Sequence, residues 1–437
     1  MQKEVLVAQS MMILVLVGRV VWQRYRRTLK KWWQAWRAKP RRAWTLHARE
    51  PNDCQDCRLA GAEGGPGHSQ GRRRWGEVKS RRGRPKMYDS DGNACMRRGC
   101  EYYKDTDATY HALRRDGQRN KCEATPQWEC GACGSKHTAR LGTPLYGLKT
   151  SSERVALATH LAMKGMSVVD ISEVTGHSPE TIRRWLARDG AHSEKLHERL
   201  FKGLVVVHIQ VDELVTKVRR WAKRAWVWTA QDAQSKAWLA WHVGGRAQAD
   251  AHRLVHRVKQ VLAIDCVPVF TSDGLRQYFY ALTVHFGQWI EQDGRRKAVW
   301  QALPALLYGQ FRKVRVGRKL KQVYTKMLCG ERSRLQEVLQ GIGLSGQIQT
   351  AFVERLNLTL RHLVAALHRK TWALAYHVRT LRWRVALAAA YYNFCRTHHT
   401  LRVPMGQGRY RGRTPAMALG VTGHVWSVKE FITHPVY

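Results

Sequence analysis

Between Val205 and Asp273 the apolar residues stop recurring at helical intervals and gather into short runs, which commits this stretch to strands. V205-V-V-H-I-Q-V-D212 puts Val205, Val207, Ile209 and Val211 on one face of a strand and His208, Gln210 and Asp212 on the other. A225-W-V-W-T-A230 and A237-W-L-A-W-H-V243 read as the next two strands of a meander. Leu254, Val255, Val258 and Leu262 mark a helix from about Ala249 to Leu262, which crosses over to the strand V267-P-V-F-T-S-D273. The expectation is an α/β fold, a mixed sheet flanked by helices. Asp212 and Asp273 meet at adjacent strand ends, while Glu213, by alternation, points away.

A third carboxylate enters from a helix. In F352-V-E-R-L-N-L-T-L-R-H-L the spacing puts Glu354, Asn357, Arg361 and His368 on one face, beside an apolar stripe of Val353, Leu356, Leu360, Leu363 and Leu367 that can pack on the sheet. Two strand-end aspartates and a helical glutamate can hold two Mg²⁺ or Mn²⁺ ions, which activate a water or sugar hydroxyl and stabilise the leaving oxygen of a phosphodiester. Asp212 is expected to bridge the ions, with Asp273 and Glu354 taking one each. Each acid alone has an ordinary explanation, helix capping for Glu354 among them. Their order along alternating strands and helices is much harder to obtain by chance.

Carboxylates are otherwise scarce: 75 Lys and Arg stand against 33 Asp and Glu, a net charge of +42. Such a chain repels itself unless a polyanion is near, and nucleic acid is the economical partner. With 44% hydrophobic residues, 18 of them Trp, it also has the bulk for more than one core, so a disordered basic tail is excluded. Six of the ten cysteines fall in C-x-x-C-like pairs, which favours metal ligation in a reducing compartment over disulfides, while Cys266, Cys329 and Cys395 stand alone as expected buried thiols. That reading is cytoplasmic.

The N-terminal 1–50 region combines an interrupted apolar stretch, Val5 to Trp22, with a basic arm rich in Trp. The interruptions favour a packing or self-association helix over a membrane anchor. Residues 51–92 are rich in Gly, Pro and Arg and read as a flexible linker. Within it R81-R-G-R-P-K86 looks like an AT-hook, whose Arg82 and Arg84 would enter an A·T minor groove; a solvated basic linker is the alternative. Over 93–145 two knuckles, C95-M-R-R-G-C100 and C130-G-A-C133, offer Cys95, Cys100, Cys130 and Cys133 to a structural Zn²⁺, a zinc ribbon. Cys54, Cys57, Cys122 and His137 are the other candidate ligands.

Residues 150–192 carry three helical stretches in a helix-turn-helix pattern. Val155, Leu157, Ala158 and Leu161 stripe the first and Val168, Ile171 and Val174 the second. Ser178 caps the third, whose inward stripe is Ile182, Trp185 and Leu186. Thr181, Arg183 and Arg184 would then face the major groove of double-stranded DNA, unless the three helices form only a structural bundle. The strand-rich domain spans 201–402, interrupted at about 293–341 by a basic insertion in which R312-K-V-R-V alternates like a strand. Residues 403–437 form a C-terminal tail.

E354-R-L-N-L-T-L-R361, continuing to H368-R-K-T371, resembles the signature helix of bacterial insertion-sequence transposases of the DDE type. Y392-N-F-C-R-T-H-H-T-L401 is similar to the tail that follows the catalytic glutamate in many of them, with Thr397 where Pro is common. The resemblance covers most of the chain from about Asp53. It implies an RNase H-like core behind the ribbon and helix-turn-helix, with Asp212, Asp273 and Glu354 as the metal-binding catalytic triad. It further implies Asn357, Arg361, Arg369 and Lys370 as DNA contacts, and a homo-oligomer on DNA that cleaves and transfers strands at the nucleoid. The alternative is a non-catalytic regulator derived from such an enzyme.

Overall fold

The computed structural model describes residues 73–75, 88–90, 92–107, 109–119, 122–220, 224–291, 297–317 and 319–437. The Val5–Trp22 stretch, Cys54, Cys57, Arg82 and Arg84 lie outside them.

The first described layer is a three-stranded antiparallel sheet, β1 (Leu113–Arg119), β2 (Thr125–Cys130) and β3 (Lys136–Thr138). It carries its own small core of Tyr102, Leu113 and Trp128. Three helices follow: α1 (Ser152–Ala162), α2 (Val168–Thr175) and α3 (Pro179–Leu200). Ser167 forms a capping box with Asp170, Gly176 ends α2 at φ +68°, and the Ser178 hydroxyl accepts the Thr181 N–H to start α3. The inward stripe of α1 is Val155, Ala158, Thr159 and Ala162. Leu157 and Val174, expected inside, are exposed, because the partner elements cover a narrower arc of each helix than periodicity alone suggests.

Helix α3 does not stop near residue 192; it runs 22 residues into the main body. The reason is tertiary. Its second half packs on α8 (Val378–Ala390) so closely that a Cβ on Gly190 would lie 2.5 Å from the Trp383 carbonyl oxygen.

The main sheet has six strands in the order β11-β10-β7-β4-β5-β6, comprising β4 (His208–Thr216), β5 (Ala225–Asp232), β6 (Trp238–Gly244), β7 (Val269–Ser272), β10 (Tyr308–Val316) and β11 (Lys319–Cys329). Strands β4, β5 and β6 form the antiparallel meander, while β7 lies parallel to β4 and β10 parallel to β7. The small hairpin of β8 (Gly287–Ile290) and β9 (Val299–Ala302) stands apart. Residues 293–341 are therefore not a simple insertion: their basic alternating stretch is β10, a strand of the sheet, paired with the edge strand β11. The molecule is thus a mixed α/β structure in which helices flank a mixed sheet.

Helices α4 (Gln248–Val261) and α5 (Arg276–His285) pack together, and α5 covers the face bearing Trp228. Helix α7 (Ala351–Leu363), which follows α6 (Arg332–Gly341), covers the other face at β4 and β5. The Tyr391–Cys395 turn locks α8 onto the sheet edge. Buried Asn393 accepts the Trp238 N–H and donates to the Trp238 carbonyl, both at 2.9 Å, as a paired strand would. The chain end is no loose tail. Beyond the hairpin of β12 (His398–Pro404) and β13 (Tyr410–Arg413), and α9 (Pro415–Ala418), α10 (Val428–Thr433) packs on α1, and Val436 N–H reaches the Gly142 carbonyl at 3.0 Å. Among the described residues no helix is long and apolar enough to cross a membrane.

Candidate functional site

Strand register brings two of the carboxylates together. In the parallel pair β4/β7, Val211 stands opposite Ser272, so the next residues, Asp212 and Asp273, lie side by side. β7 ends there, whereas β4 does not: Asp212 sits inside β4 and not at its end, a correction to the expected strand limits. Gln210 and Asp212 share the face under α7. Buried Gln210 accepts the N–H groups of Phe352 and Val353, both at 3.0 Å, and so holds the first turn of α7 in place.

One turn on, Asn357 donates to Asp212 Oδ2 at 2.7 Å while its own oxygen accepts the Thr229 hydroxyl at 3.2 Å. That double tether fixes which way the Asp212 carboxylate faces. Glu354, one turn before Asn357, opens on the same side of the sheet, bonded to Lys313 of β10 at 2.7 Å and to the Thr350 hydroxyl at 2.9 Å. The helical face expected to continue to His368 ends at Leu363, because a 3₁₀ turn at Ala365–Leu367 redirects the chain.

Glu213 overturns the expectation that it points away. One carboxylate oxygen from each of Asp212, Glu213 and Asp273 lies within 4.8 Å of the others, and this trio could hold a metal ion. Alternation failed as a guide because β7 stops at Ser272, so that residue 213 has β5 on one side but no strand on the β7 side to separate the two faces. The Glu213 side chain is only 3% exposed, held by Arg246 at 2.6 Å and the Tyr278 hydroxyl at 3.1 Å; the Glu354 side chain is 47% exposed. The sequence signal for Glu213 is its adjacency to Asp212, two acids side by side in so basic a chain.

The electrostatics suit a cation. Burial, then the nearby Asp273 and Glu213 carboxylates, push Asp212 up to about 7. Burial and Asp273 push Glu213 to about 7 against the pull of Arg246, and burial also raises Asp273. Three crowded acids whose one bonded cation among the described residues is Arg246 form a site that could hold a metal ion. Arg361 lies close enough for Asp212 to act on its charge.

A second cluster joins the knuckles. Cys95, Cys100, Cys130 and Cys133 converge, with Sγ atoms 3.6 Å apart for Cys95 and Cys133 and 3.9 Å for Cys100 and Cys130. A tetrahedral Zn²⁺ with bonds of about 2.3 Å sets its thiolates ~3.8 Å apart, so the four could hold zinc with little movement. The Cys95 thiol beside it and the backbone N–H groups of Cys133 and Ala132 lower Cys130 to about 5, a thiolate available to start ligation. Cys122 is exposed and His137 stands on β3, both outside this group.

Of the expected DNA contacts, Arg184, Arg369 and Lys370 are exposed. Arg183 is exposed and pairs with Glu180 at 3.3 Å, whereas half-buried Thr181 has its hydroxyl 2.9 Å from that of Ser178 within the helix cap. No family model matches the chain, and no curated protein matches it.

Proposed function

We propose that the protein is a metal-dependent DNA transposase of the DDE type, with Asp212, Asp273 and Glu354 as its catalytic acids. One observation carries the reading: Asp212 and Asp273 approach each other on parallel neighbouring strands, and the helix bearing Glu354 is tied to Asp212 through Asn357. The sheet order supports an RNase H-like core, since β4 has two antiparallel strands in succession on one side and two parallel to it on the other. The four-cysteine sheet supports a zinc ribbon. The α2–α3 pair supports a helix-turn-helix that grips double-stranded element ends.

Asp212, Asp273 and Glu354, joined by Glu213, would hold Mg²⁺ or Mn²⁺, which when bound lowers the pKa of a water or 3′ hydroxyl and neutralises charge on the leaving oxygen. The protein's own part is orientation. Asn357 fixes Asp212, Gln210 and Thr350 fix the start of α7 and Glu354, and Arg246 holds the Glu213 carboxylate in place and partly offsets the push of its crowded neighbours. Exposed Arg369 and Lys370 supply phosphate contacts, and the net charge of +42 supplies long-range attraction.

The test is supercoiled plasmid DNA incubated with the full chain and Mg²⁺ or Mn²⁺. Nicking is expected from the wild type and not from Asp212→Asn or Glu354→Gln, while all three bind DNA alike and release it as salt rises. Cleavage that survives Asp212→Asn, or wild-type binding indifferent to salt, defeats the proposal.

A further inference from the structure

A cavity of about 1130 Å³ opens between the start of α3 and the segment that follows α7. Arg183 and Arg184 line one wall; Arg219, Trp372 and Arg384 line the other. The second wall is built, not loose. A β-bridge joins Val218 to Ala375, and the N–H groups of Arg219 and Arg220 reach the carbonyls of Ala375 and Tyr376 at 2.9 and 3.0 Å. Arg219 also donates to the Trp372 carbonyl at 3.3 Å. That grip holds the Trp372 backbone while the residue stands 91% exposed, its indole open to solvent among the described residues.

Arg384 is the second oddity. Its guanidinium is half-buried on α8, makes no hydrogen bond or ion pair among the described residues, and faces a charge of its own sign, Arg183. A desolvated cation opposite a cation calls for an anion between them. The two acids on the lining do not meet the need: Asp170 serves the Ser167 cap, and Glu180 is spent on Arg183.

We infer that this cavity receives an unpaired nucleotide of a nucleic-acid strand, its phosphate between Arg384 and Arg183 and its base stacked on Trp372. This rests on the nucleic-acid partner proposed above, and adds a site for single-stranded DNA that neither the carboxylates nor α3 alone would supply. Pockets for small ligands run to roughly 1,000 Å³, so the volume is enough for one or two nucleotides. Stacked aromatics and unpaired arginines together are what single strands require, because every base has a π-face and every linkage a phosphate. The route to the carboxylates is short in chain terms: Arg361, within reach of the Asp212 charge, bonds the Leu367 carbonyl at 3.4 Å, and His368 lines the cavity next in sequence.

The experiment compares a labelled oligothymidylate with a blunt duplex by fluorescence anisotropy, using the full chain loaded with zinc. Trp372→Ala should weaken the single strand by roughly fivefold to a hundredfold and leave the duplex unchanged, with Trp372→Phe restoring most of the loss. Arg384→Gln should lower the slope of log affinity on log salt by about 0.7 for the single strand alone. Equal losses on both ligands, or single-strand binding untouched by either variant, overturn the inference while leaving the functional reading intact. A wild type that binds neither ligand removes both.

Discussion

If Asp212, Glu213 and Asp273 receive a divalent cation, metal binding must compete with protons near neutrality. Asp212 and Glu213 are each pushed up to about 7, first by burial and then by their acidic neighbours. Raising one carboxyl from 3.8 to about 7 corresponds to roughly 4 kcal/mol at most, and water reaching the open side of the site reduces it. The sign follows from proton occupancy. In the metal-free protein the folded state keeps a proton that the unfolded chain has released, so stability falls as pH rises from about 4 to about 7. Metal reverses the trend by favouring the ionised form. Below pH 7 apparent affinity should fall about tenfold per pH unit for each proton displaced, and up to about a hundredfold if both acids release one.

The assay is calorimetric titration of zinc-loaded protein with Mg²⁺ or Mn²⁺ between about pH 5.5 and 8, run in two buffers of different ionisation heat so that released protons are counted. Asp212→Asn should release about one proton fewer at pH 6 and bind the cation more weakly. An affinity that stays level across this range, or binding without proton release at pH 6, would refute the electrostatic account of the site.

Three further outcomes are expected. Cys130→Ser should abolish stoichiometric zinc by elemental analysis and strip amide-exchange protection from β1 to β3 while β4 to β7 keep theirs; full zinc retention would exclude the four-cysteine site. Asn393→Ala breaks both bonds to the Trp238 backbone in a fully buried place and should cost about 2–4 kcal/mol in thermal or urea unfolding, with a loss under about 1 kcal/mol refuting the edge-locking role. Asp189, buried and raised to about 7 by burial, has one oxygen on the Thr159 hydroxyl and the other without a partner among the described residues. It should make stability fall as pH rises from about 4 to 7, and Asp189→Asn should flatten that slope and raise stability at pH 8; an unchanged pH profile would dismiss it.

Much of this molecule is legible in local pattern. Period-two runs mark the cores of β4, β5 and β6, and Ser167, Gly176 and Ser178 punctuate α2 and α3. The paired-cysteine spacing marks the thiol cluster, because knuckles, caps and pleats are set by residues a few positions apart. Strand register is not local. It set Asp212 beside Asp273, and the early end of β7 let Glu213 join them against the alternation rule. It likewise made the strand-like stretch of the basic insertion into β10, a member of the main sheet, and so brought Lys313 to Glu354 across the gap between separate elements. The cavity between α3 and the segment after α7 belongs to the same class: Arg183, Arg219 and Arg384 share it only because α8 packs on α3 and residue 375 bridges to 218. Composition and spacing thus determined which chemical groups this chain carries and the local elements that hold them. Long-range packing alone decided which of those groups meet, since their separations depend on where each strand stops and which helix lies over it.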